Sequence, residues 1–418
     1  MNPAIEQLAA NARAASRALA RLDTRQRNQA LLAIADALGA DIDAILEANR
    51  RDLQLAEDAV RGAAMVDRLR LTPDRVAAIA ASVRQIAELP DPLGAVQWQP
   101  ARADGLEIGR MRAPLGVIAM IYESRPNVTI DAAVLCIKSG NAAILRGGSE
   151  AVHSNGALLA AVQRALVEQA LPLAVVSAMP TTDRADLLDL LKLDQFIDLV
   201  IPRGGEGLIR FVAEHSRIPV IRHYKGVCHL YVDADVDIGL ALRLLIDGKT
   251  SRPGVCNSLE TLLVDARIAD SFLPRVAHEM RARGVELRAC ERSVPYLPSA
   301  RLADASDWDA EYLDLILAVR VVDDLDAALA HIAAHGSLHT EVIATANSAR
   351  AERFLREADA SAVMWNASSR FNDGGELGLG AELGISTTKI HAYGPMGLES
   401  LTTRKWVLRG TGQIRHPI

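Results

Sequence analysis

The chain has 418 residues, half of them hydrophobic, few of them aromatic, and a formal net charge of −6. That length exceeds what one compact core holds, so two or three domains are expected, and the composition reads as a helix-rich α/β protein. The acidic balance argues against a nucleic-acid footprint or a membrane-binding surface, and no apolar run approaches the roughly 20 residues of a membrane-spanning helix.

The start of the chain, Met1-Asn-Pro-Ala-Ile-Glu6, has no basic segment followed by an apolar run, so no secretory signal is expected. Cys136, Cys228, Cys256 and Cys290 are scattered and form no C-x-x-C pair. Free thiols in a reducing cytoplasm are the simplest reading. Two amphipathic helices are predicted first. Leu31, Ile34, Leu38, Ile42 and Ile45 share one face of the first, and Val76, Ile79, Val83 and Ile86 one face of the second. Thr72 is placed to cap the second, Pro73 suits its first turn and Pro90 ends it. The alternation in Leu106–Arg112 after Asp104-Gly105 predicts a β-hairpin within Trp98–Ala113.

From Gly116 the pattern becomes strand–helix–strand. Val117–Ile121, Ala142–Leu145, Val175–Met179 and Ile197–Ile201 read as buried parallel strands. Helices are predicted over Asn127–Lys138, from about Ser154, and over Asp183–Leu191. This rhythm indicates a doubly wound, Rossmann-like sheet. After Val232 the alternation restarts, predicting a second α/β domain, and Thr402–Arg409 reads as an edge strand able to pair with the hairpin across a subunit boundary.

The usual G-x-G-x-x-G is missing from the first βα turn. Two loops are candidates to replace it, Arg146-Gly-Gly-Ser-Glu150 and Pro202-Arg-Gly-Gly-Glu-Gly207. Each sets an arginine beside backbone amides at the start of a helix, where dipole and N–H groups favour phosphate. Each also reads as an ordinary βα turn; their occurrence at successive strand ends favours nucleotide binding. His331 and His335, four apart on a helix, lack the glutamate of H-E-x-x-H and read as a helix-end feature, so no metal is expected.

Cys256 lies in Lys249-Thr-Ser-Arg-Pro-Gly-Val-Cys-Asn-Ser-Leu-Glu260, flanked by small and polar residues. That context presents a thiol on a loop, and a thiolate is the strongest nucleophile available near neutral pH. The alternative is an inert structural thiol.

Several segments carry a resemblance. They are Ile121-Tyr-Glu-Ser-Arg-Pro-Asn-Val-Thr129, Lys138-Ser-Gly-Asn-Ala-Ala-Ile-Leu-Arg-Gly-Gly148, Ile201-Pro-Arg-Gly-Gly205 and Gly226-Val-Cys-His-Leu-Tyr-Val-Asp233. Arg252-Pro-Gly-Val-Cys-Asn257, Ser368-Ser-Arg-Phe-Asn-Asp-Gly374, Gly378-Leu-Gly-Ala-Glu382 and Gly394-Pro-Met-Gly-Leu398 complete the set. In this order, over nearly the whole chain, they resemble the glutamate-5-semialdehyde dehydrogenases of the aldehyde dehydrogenase superfamily.

The resemblance implies a Rossmann-like NADP-binding domain over 1–97 and 114–226 and an α/β catalytic domain over 227–393. It also implies an oligomerisation element made of 98–113 and 394–418, in a homo-oligomer. It makes Cys256 the nucleophile and Asn127, with the Cys256 N–H, the oxyanion hole. Arg146, Gly147, Gly148, Ser149, Arg203, Gly204 and Gly205 fall where NADPH is held, and Glu311 where the nicotinamide ribose is bound. Ser149 departs from the lysine usual in relatives, which leaves NADP preference resting on Arg146. Tyr393 replaces a usual arginine.

Oxidising relatives activate water with the glutamate of an E-L-G-G-K segment, whereas this chain reads His223-Tyr-Lys-Gly-Val227. A thioester without that base resists hydrolysis. The implied reaction is thus reduction of L-glutamyl 5-phosphate to glutamate 5-semialdehyde, with release of phosphate, through a Cys256 thioester reduced by the nicotinamide hydride. Arg125, Arg370 and Ser368, with Ser369, are candidates to anchor the substrate; for the arginines, interdomain salt bridges are the alternative. A hydrolytic or coenzyme-A-dependent semialdehyde dehydrogenase on the same fold is the competing reading, and a silent binding relative the third. The acyl phosphate is expected from a separate glutamate 5-kinase, a plausible physical partner.

Overall fold

The computed structural model describes residues 2–59 and 63–416; Met1, residues 60–62 and the last two residues of the expected C-terminal element lie outside the described residues. The chain divides into two compact units. The first comprises 1–222, 379–384 and 396–418, and the second 223–378 and 385–395. The first division between the units lies at 222/223, and of the segments expected to form an oligomerisation element 98–113 and 396–418 fall in the first unit and 394–395 in the second.

In the first unit, α1 (Pro3–Leu19) starts at the Asn2 cap with proline in its first turn. This helix was not anticipated, although Asn-Pro is an N-terminus signal. The apolar face expected for one helix belongs to two, α2 (Thr24–Ala40) and α3 (Ile42–Asp58). Gly39 and Asp41, both poor helix formers, coincide with the break, and Asp41 leaves helical geometry at ψ 12°. After α4 (Ala63–Leu69), α5 (Pro73–Glu88) begins as expected, the Thr72 side chain accepting from Arg75 N.

The hairpin is present as β1 (Val96–Trp98) and β2 (Glu107–Pro114), antiparallel, with Gly105 at φ +77° in the intervening loop. A C-terminal strand, Thr402–Arg409, pairs antiparallel with β2 along eight residues of the same chain.

The parallel sheet comprises β3 (Val117–Tyr122), β4 (Ala142–Arg146), β5 (Val176–Ala178) and β6 (Leu199–Arg203) in the order β5-β4-β3-β6. That is the 3-2-1-4 order of a dinucleotide-binding sheet, whose switch point lies between the first and fourth strands. The crossovers carry α6 (Asn127–Lys138), α7 (Val152–Glu168) and α8 (Arg184–Leu190), and α9 (Glu206–His215) follows β6. Every residue of β3 is buried, as a strand covered on both faces must be.

The second unit holds seven parallel strands. They are β7 (Cys228–Val232), β8 (Leu259–Asp265), β9 (Glu286–Ala289), β10 (Arg301–Leu302), β11 (Ile316–Val322), β12 (Thr340–Ala344) and β13 (Ala362–Trp365). Their order is β10-β9-β11-β8-β7-β12-β13. Helices α10 (Ile238–Thr250), α11 (Ala269–Ala282), α12 (Leu325–His335) and α13 (Ser348–Glu357) complete it. The central strands β7 and β8 are buried throughout, and the loops that matter precede β7, β8 and β11. Among the described residues no helix is long and apolar enough to cross a membrane.

Candidate functional site

The carboxyl edge of the first unit's sheet carries the predicted cofactor residues of the two glycine loops. At the end of β4, Arg146 Nη2 donates to Thr182 O at 2.6 Å, while its Nε is buried without a hydrogen-bond partner. Burial holds this guanidinium below its ordinary pKa. A Cβ on Gly147 would lie 2.1 Å from Asn155 Nδ2, so a side chain there would displace Asn155. Asn155 Oδ1 accepts from Thr129 Oγ1 at 3.0 Å, and Thr129 Oγ1 lies 2.7 Å from Tyr122 Oη. Together with Gly148 and Thr181 these residues line a cavity of about 180 Å³ beside Arg146. Ser149 is exposed at the start of a short 3-10 turn.

The second glycine loop is less open than expected. Arg203 Nε is also buried without a partner, but Gly205 N already donates to Glu123 Oε2 at 3.0 Å. A Cβ on Gly204 would sit 2.4 Å from that carboxylate. Glu150 accepts from both Ser124 N and Ser124 Oγ. Two carboxylates thus organise the loops of this edge, a feature that the glycine pattern did not signal.

Asn127 is exposed as the first residue of α6, and Arg125 is exposed in the loop before it. Asn127 Nδ2 donates to Asp131 Oδ2 at 2.9 Å, one turn along. Burial pushes the Asp131 carboxyl up to about 6, against the opposing pull of the Asn127 hydrogen bond and of Arg203.

In the second unit Cys256 sits half-buried in a turn between α10 and β8. The turn is held by its main chain. Cys228 Sγ donates to Cys256 O at 3.2 Å, and Gly226 packs so closely that a Cβ there would lie 2.0 Å from the same oxygen. Burial drives the Cys228 thiol well above the ordinary cysteine value, so it remains a protonated donor. Asn257 Nδ2 reaches Asn372 O at 3.1 Å, and Ser369 Oγ donates to Asn257 O at 2.7 Å. The Cys256 turn is thereby tied to the segment carrying Arg370.

The substrate candidates divide. Arg370 has a buried Nη1 without a hydrogen-bond partner, a cationic donor available to an anion. Ser368 instead caps the following 3-10 turn, its side chain accepting from Arg370 N, and Ser369 is buried and bonded to Asn257. Glu311 Oε1 accepts from Gly226 N at 2.9 Å, which places the predicted ribose carboxylate one residue contact from the Cys256 turn. Tyr393 packs near Lys389, itself paired with Asp359.

His331 is buried, its Nδ1 2.9 Å from Arg320 Nη1, and desolvation pushes its pKa down to about 2. His335 Nδ1 meets Asp309 Oδ1 at 2.8 Å. The described residues contain no cluster of three or more His, Cys, Asp or Glu side chains suited to a metal.

The sequence reading missed Lys249, Glu260, Asn257 and Asn372. Glu260 was detectable as the one acid in the apolar start of β8, with Lys249 the matching base seven residues before Cys256.

The chain matches the aldehyde dehydrogenase family over residues 2–292. The gamma-glutamyl phosphate reductase of Xanthomonas campestris pv. campestris (strain 8004) is 58% identical over 412 residues, 99% of this chain and all of that one. That of Salinibacter ruber is 57% identical over 99% of this chain and 95% of its own. The crystal structure of gamma-glutamyl phosphate reductase from Thermotoga maritima superposes with a TM-score of 0.97 at 43% identity, covering 99% of this chain and 100% of that one.

Proposed function

The chain belongs to the aldehyde dehydrogenase family and, within it, to the gamma-glutamyl phosphate reductases, and on that premise we propose that Cys256 carries the reduction of L-glutamyl 5-phosphate to glutamate 5-semialdehyde. The observation that carries the assignment is the Cys256 turn. It presents a half-buried thiol whose own carbonyl is held by Gly226 and Cys228, beside a 223–227 loop that contains no carboxylate to activate water.

In the proposed mechanism the Cys256 thiolate attacks the acyl carbon, a C–S bond forms, and the C–O bond to phosphate breaks, leaving a thioester. Asn127 and the Cys256 N–H are the proposed donors to the transient oxyanion. Arg370 is the proposed anchor for an anionic group of the substrate, supported by its buried, unpartnered Nη1. Arg125 is the second proposed anchor.

Family members use a nicotinamide cofactor, and NADPH is the proposed one. The first unit fits it: the buried Nε atoms of Arg146 and Arg203 lack partners, Gly147 and Gly148 border the 180 Å³ cavity, and Ser149 follows them in the chain as a further proposed contact. Arg203, Gly204, Gly205 and Glu311 are the further proposed contacts. When bound there, the cofactor supplies the hydride that reduces the thioester; Cys256 leaves as thiolate when the product aldehyde is released.

The test is NADP reduction driven by glutamate 5-semialdehyde with and without phosphate. The proposal requires phosphate or arsenate, whereas a hydrolytic enzyme does not. Cys256→Ser is expected to be nearly inactive and Asn127→Ala to lose about 10²–10³ in turnover. Near-normal turnover by Cys256→Ser refutes the covalent route. A homo-oligomer is proposed through the exposed edge strand Thr402–Arg409, where Trp406 and Leu408 are more than half exposed, and light scattering tests it. A complex with glutamate 5-kinase is proposed from the instability of the acyl phosphate and is tested by co-purification.

A further inference from the structure

Behind the Cys256 turn lies a buried ion pair to which nothing above gives a task. Lys249 Nζ meets Glu260 Oε2 at 2.7 Å, and both side chains are essentially sealed from solvent, at 0% and 1% exposure. Lys249 lies in the last turn of α10 and Glu260 is the second residue of β8, so the pair closes the loop that carries Cys256 at its base. A second closure lies alongside, Ser258 Oγ donating to Gly248 O at 3.2 Å.

The other Glu260 oxygen points to a different segment. Oε1 accepts from Leu313 N at 3.2 Å, and Leu313 is a non-glycine residue held at φ +54°. A left-handed leucine is strained and persists only where its surroundings fix it. Two residues earlier stands Glu311, whose Oε1 takes Gly226 N, and Gly226 in turn packs against Cys256 O. A closed circuit therefore runs from the nucleophile loop through Glu260, Leu313, Glu311 and Gly226 back to Cys256.

A buried ion pair is poor evidence of a stability role. Desolvation offsets its attraction, and well-packed apolar pairs often replace such pairs at no loss of stability. What an ion pair of this kind adds is one geometry. We propose that Lys249 and Glu260 are positioning residues for the reaction: they fix the nucleophile loop and, through Leu313, set it in register with the segment carrying Glu311. The proposal rests on the reading of Cys256 as nucleophile and Glu311 as a cofactor ligand.

Two double variants separate positioning from packing. Lys249→Met/Glu260→Leu removes both the charge pair and the acceptor for Leu313 N. Lys249→Met/Glu260→Gln removes the charge pair and keeps an acceptor. Melting midpoint, kcat and the KM for NADP in the phosphate-dependent assay are measured for each, with Cys256→Ser as control. The Leu variant is expected to stay folded and lose about 10²-fold in kcat, the usual cost of misplacing a reacting group by about an ångström. Its KM for NADP should rise about fivefold, equivalent to one ordinary hydrogen bond. The Gln variant is expected to lose about tenfold in kcat with its KM for NADP unchanged.

A purely structural pair would move the melting midpoint without this split. Folded variants with kcat within about threefold of the parent, or equal KM changes in both, overturn the proposal. If the Leu variant does not fold, the Gln variant decides alone: reduced kcat at unchanged KM supports positioning, and unchanged kcat overturns it. Inactive Cys256→Ser beside two fully active pair variants overturns the positioning role and leaves the nucleophile reading standing.

Discussion

Replacing Gly226 by alanine tests the geometry of the turn that carries the proposed nucleophile through a residue that has no chemistry of its own. A Cβ there would lie 2.0 Å from Cys256 O, 2.7 Å from its carbonyl carbon and 2.9 Å from its Cα. All three are backbone atoms, so no side chain can swing aside. Opening the closest contact even to 3.0 Å, the floor for real Cβ neighbours, requires about 1 Å of movement between the two segments. The Cys228 hydrogen bond to the same oxygen resists that movement. Overpacking of this kind costs roughly 1–3 kcal/mol of stability, whereas a misplacement of about 1 Å at a reacting group costs about 10²-fold in rate. The expected variant is therefore folded, with a melting midpoint lowered by several degrees, and about a hundredfold slower in turnover. Alkylation of Cys256 by iodoacetamide, followed by peptide mass spectrometry, should change in rate as well. Turnover within threefold of the parent, with unchanged alkylation, would refute the claim that Gly226 sets the position of Cys256.

Asp131→Asn tests the partly buried carboxyl that accepts from Asn127. Its folded-state pKa of about 6 lies above the ordinary aspartate value, so folding takes up a proton between about pH 4 and 6. The stability linked to this group is full below about pH 4 and lost as pH rises through 6. The asparagine variant should match the parent at pH 4 and exceed it by up to about 3 kcal/mol at pH 8 in urea unfolding; a pH-independent difference would contradict the assignment. Asp52 is fully buried and accepts from His153 N, Ser154 N and Ser154 Oγ at the start of α7. Asp52→Ala leaves those donors unmet and should cost about 3–4 kcal/mol by the same measurement, while a loss under about 1 kcal/mol would remove this capping role. Ser149→Lys adds a cation beside Arg146 and should raise the ratio of kcat/KM for NADPH over NADH about tenfold; an unchanged ratio would place the 2′-phosphate elsewhere.

Backbone periodicity and turn residues made much of the fold legible. Asn127–Lys138 is a helix with the ends that the sequence indicated, because Pro126 and the Ser139-Gly140 pair mark both of them. The single helix expected through Ile45 was two, because a shared apolar face does not register a one-residue break at Asp41. A candidate site could be nominated where residues of the right chemistry sit in a short motif, as at Cys256 or in the two glycine loops. It was not legible where long-range contacts decide. The Gly205 amide, for example, donates to Glu123 from a different strand end, a contact that the glycine pattern did not signal. Ser368 and Ser369 also make contacts that no motif signals, one capping a turn and the other holding Asn257.

These particular misses share a physical origin. The contacts that shape the Cys256 turn fall on main-chain atoms: Cys228 on the Cys256 carbonyl, Ser369 on the Asn257 carbonyl, and Gly226 against the Cys256 backbone. A side chain recruited to hold a carbonyl needs only a donor at the right distance, so serine, cysteine or asparagine serve, and none leaves a distinctive spacing. A nucleophile, by contrast, must be one of very few residue types. Motif reading therefore nominates a reacting atom and says nothing of what would aim it. It also follows that exchanging Ser369 or Cys228 for alanine should lower kcat through geometry while leaving the intrinsic nucleophilicity of the Cys256 thiolate intact. The pH dependence of its alkylation separates the two: a midpoint unchanged alongside a reduced turnover identifies aiming, and a midpoint that moves identifies a change in the thiol itself.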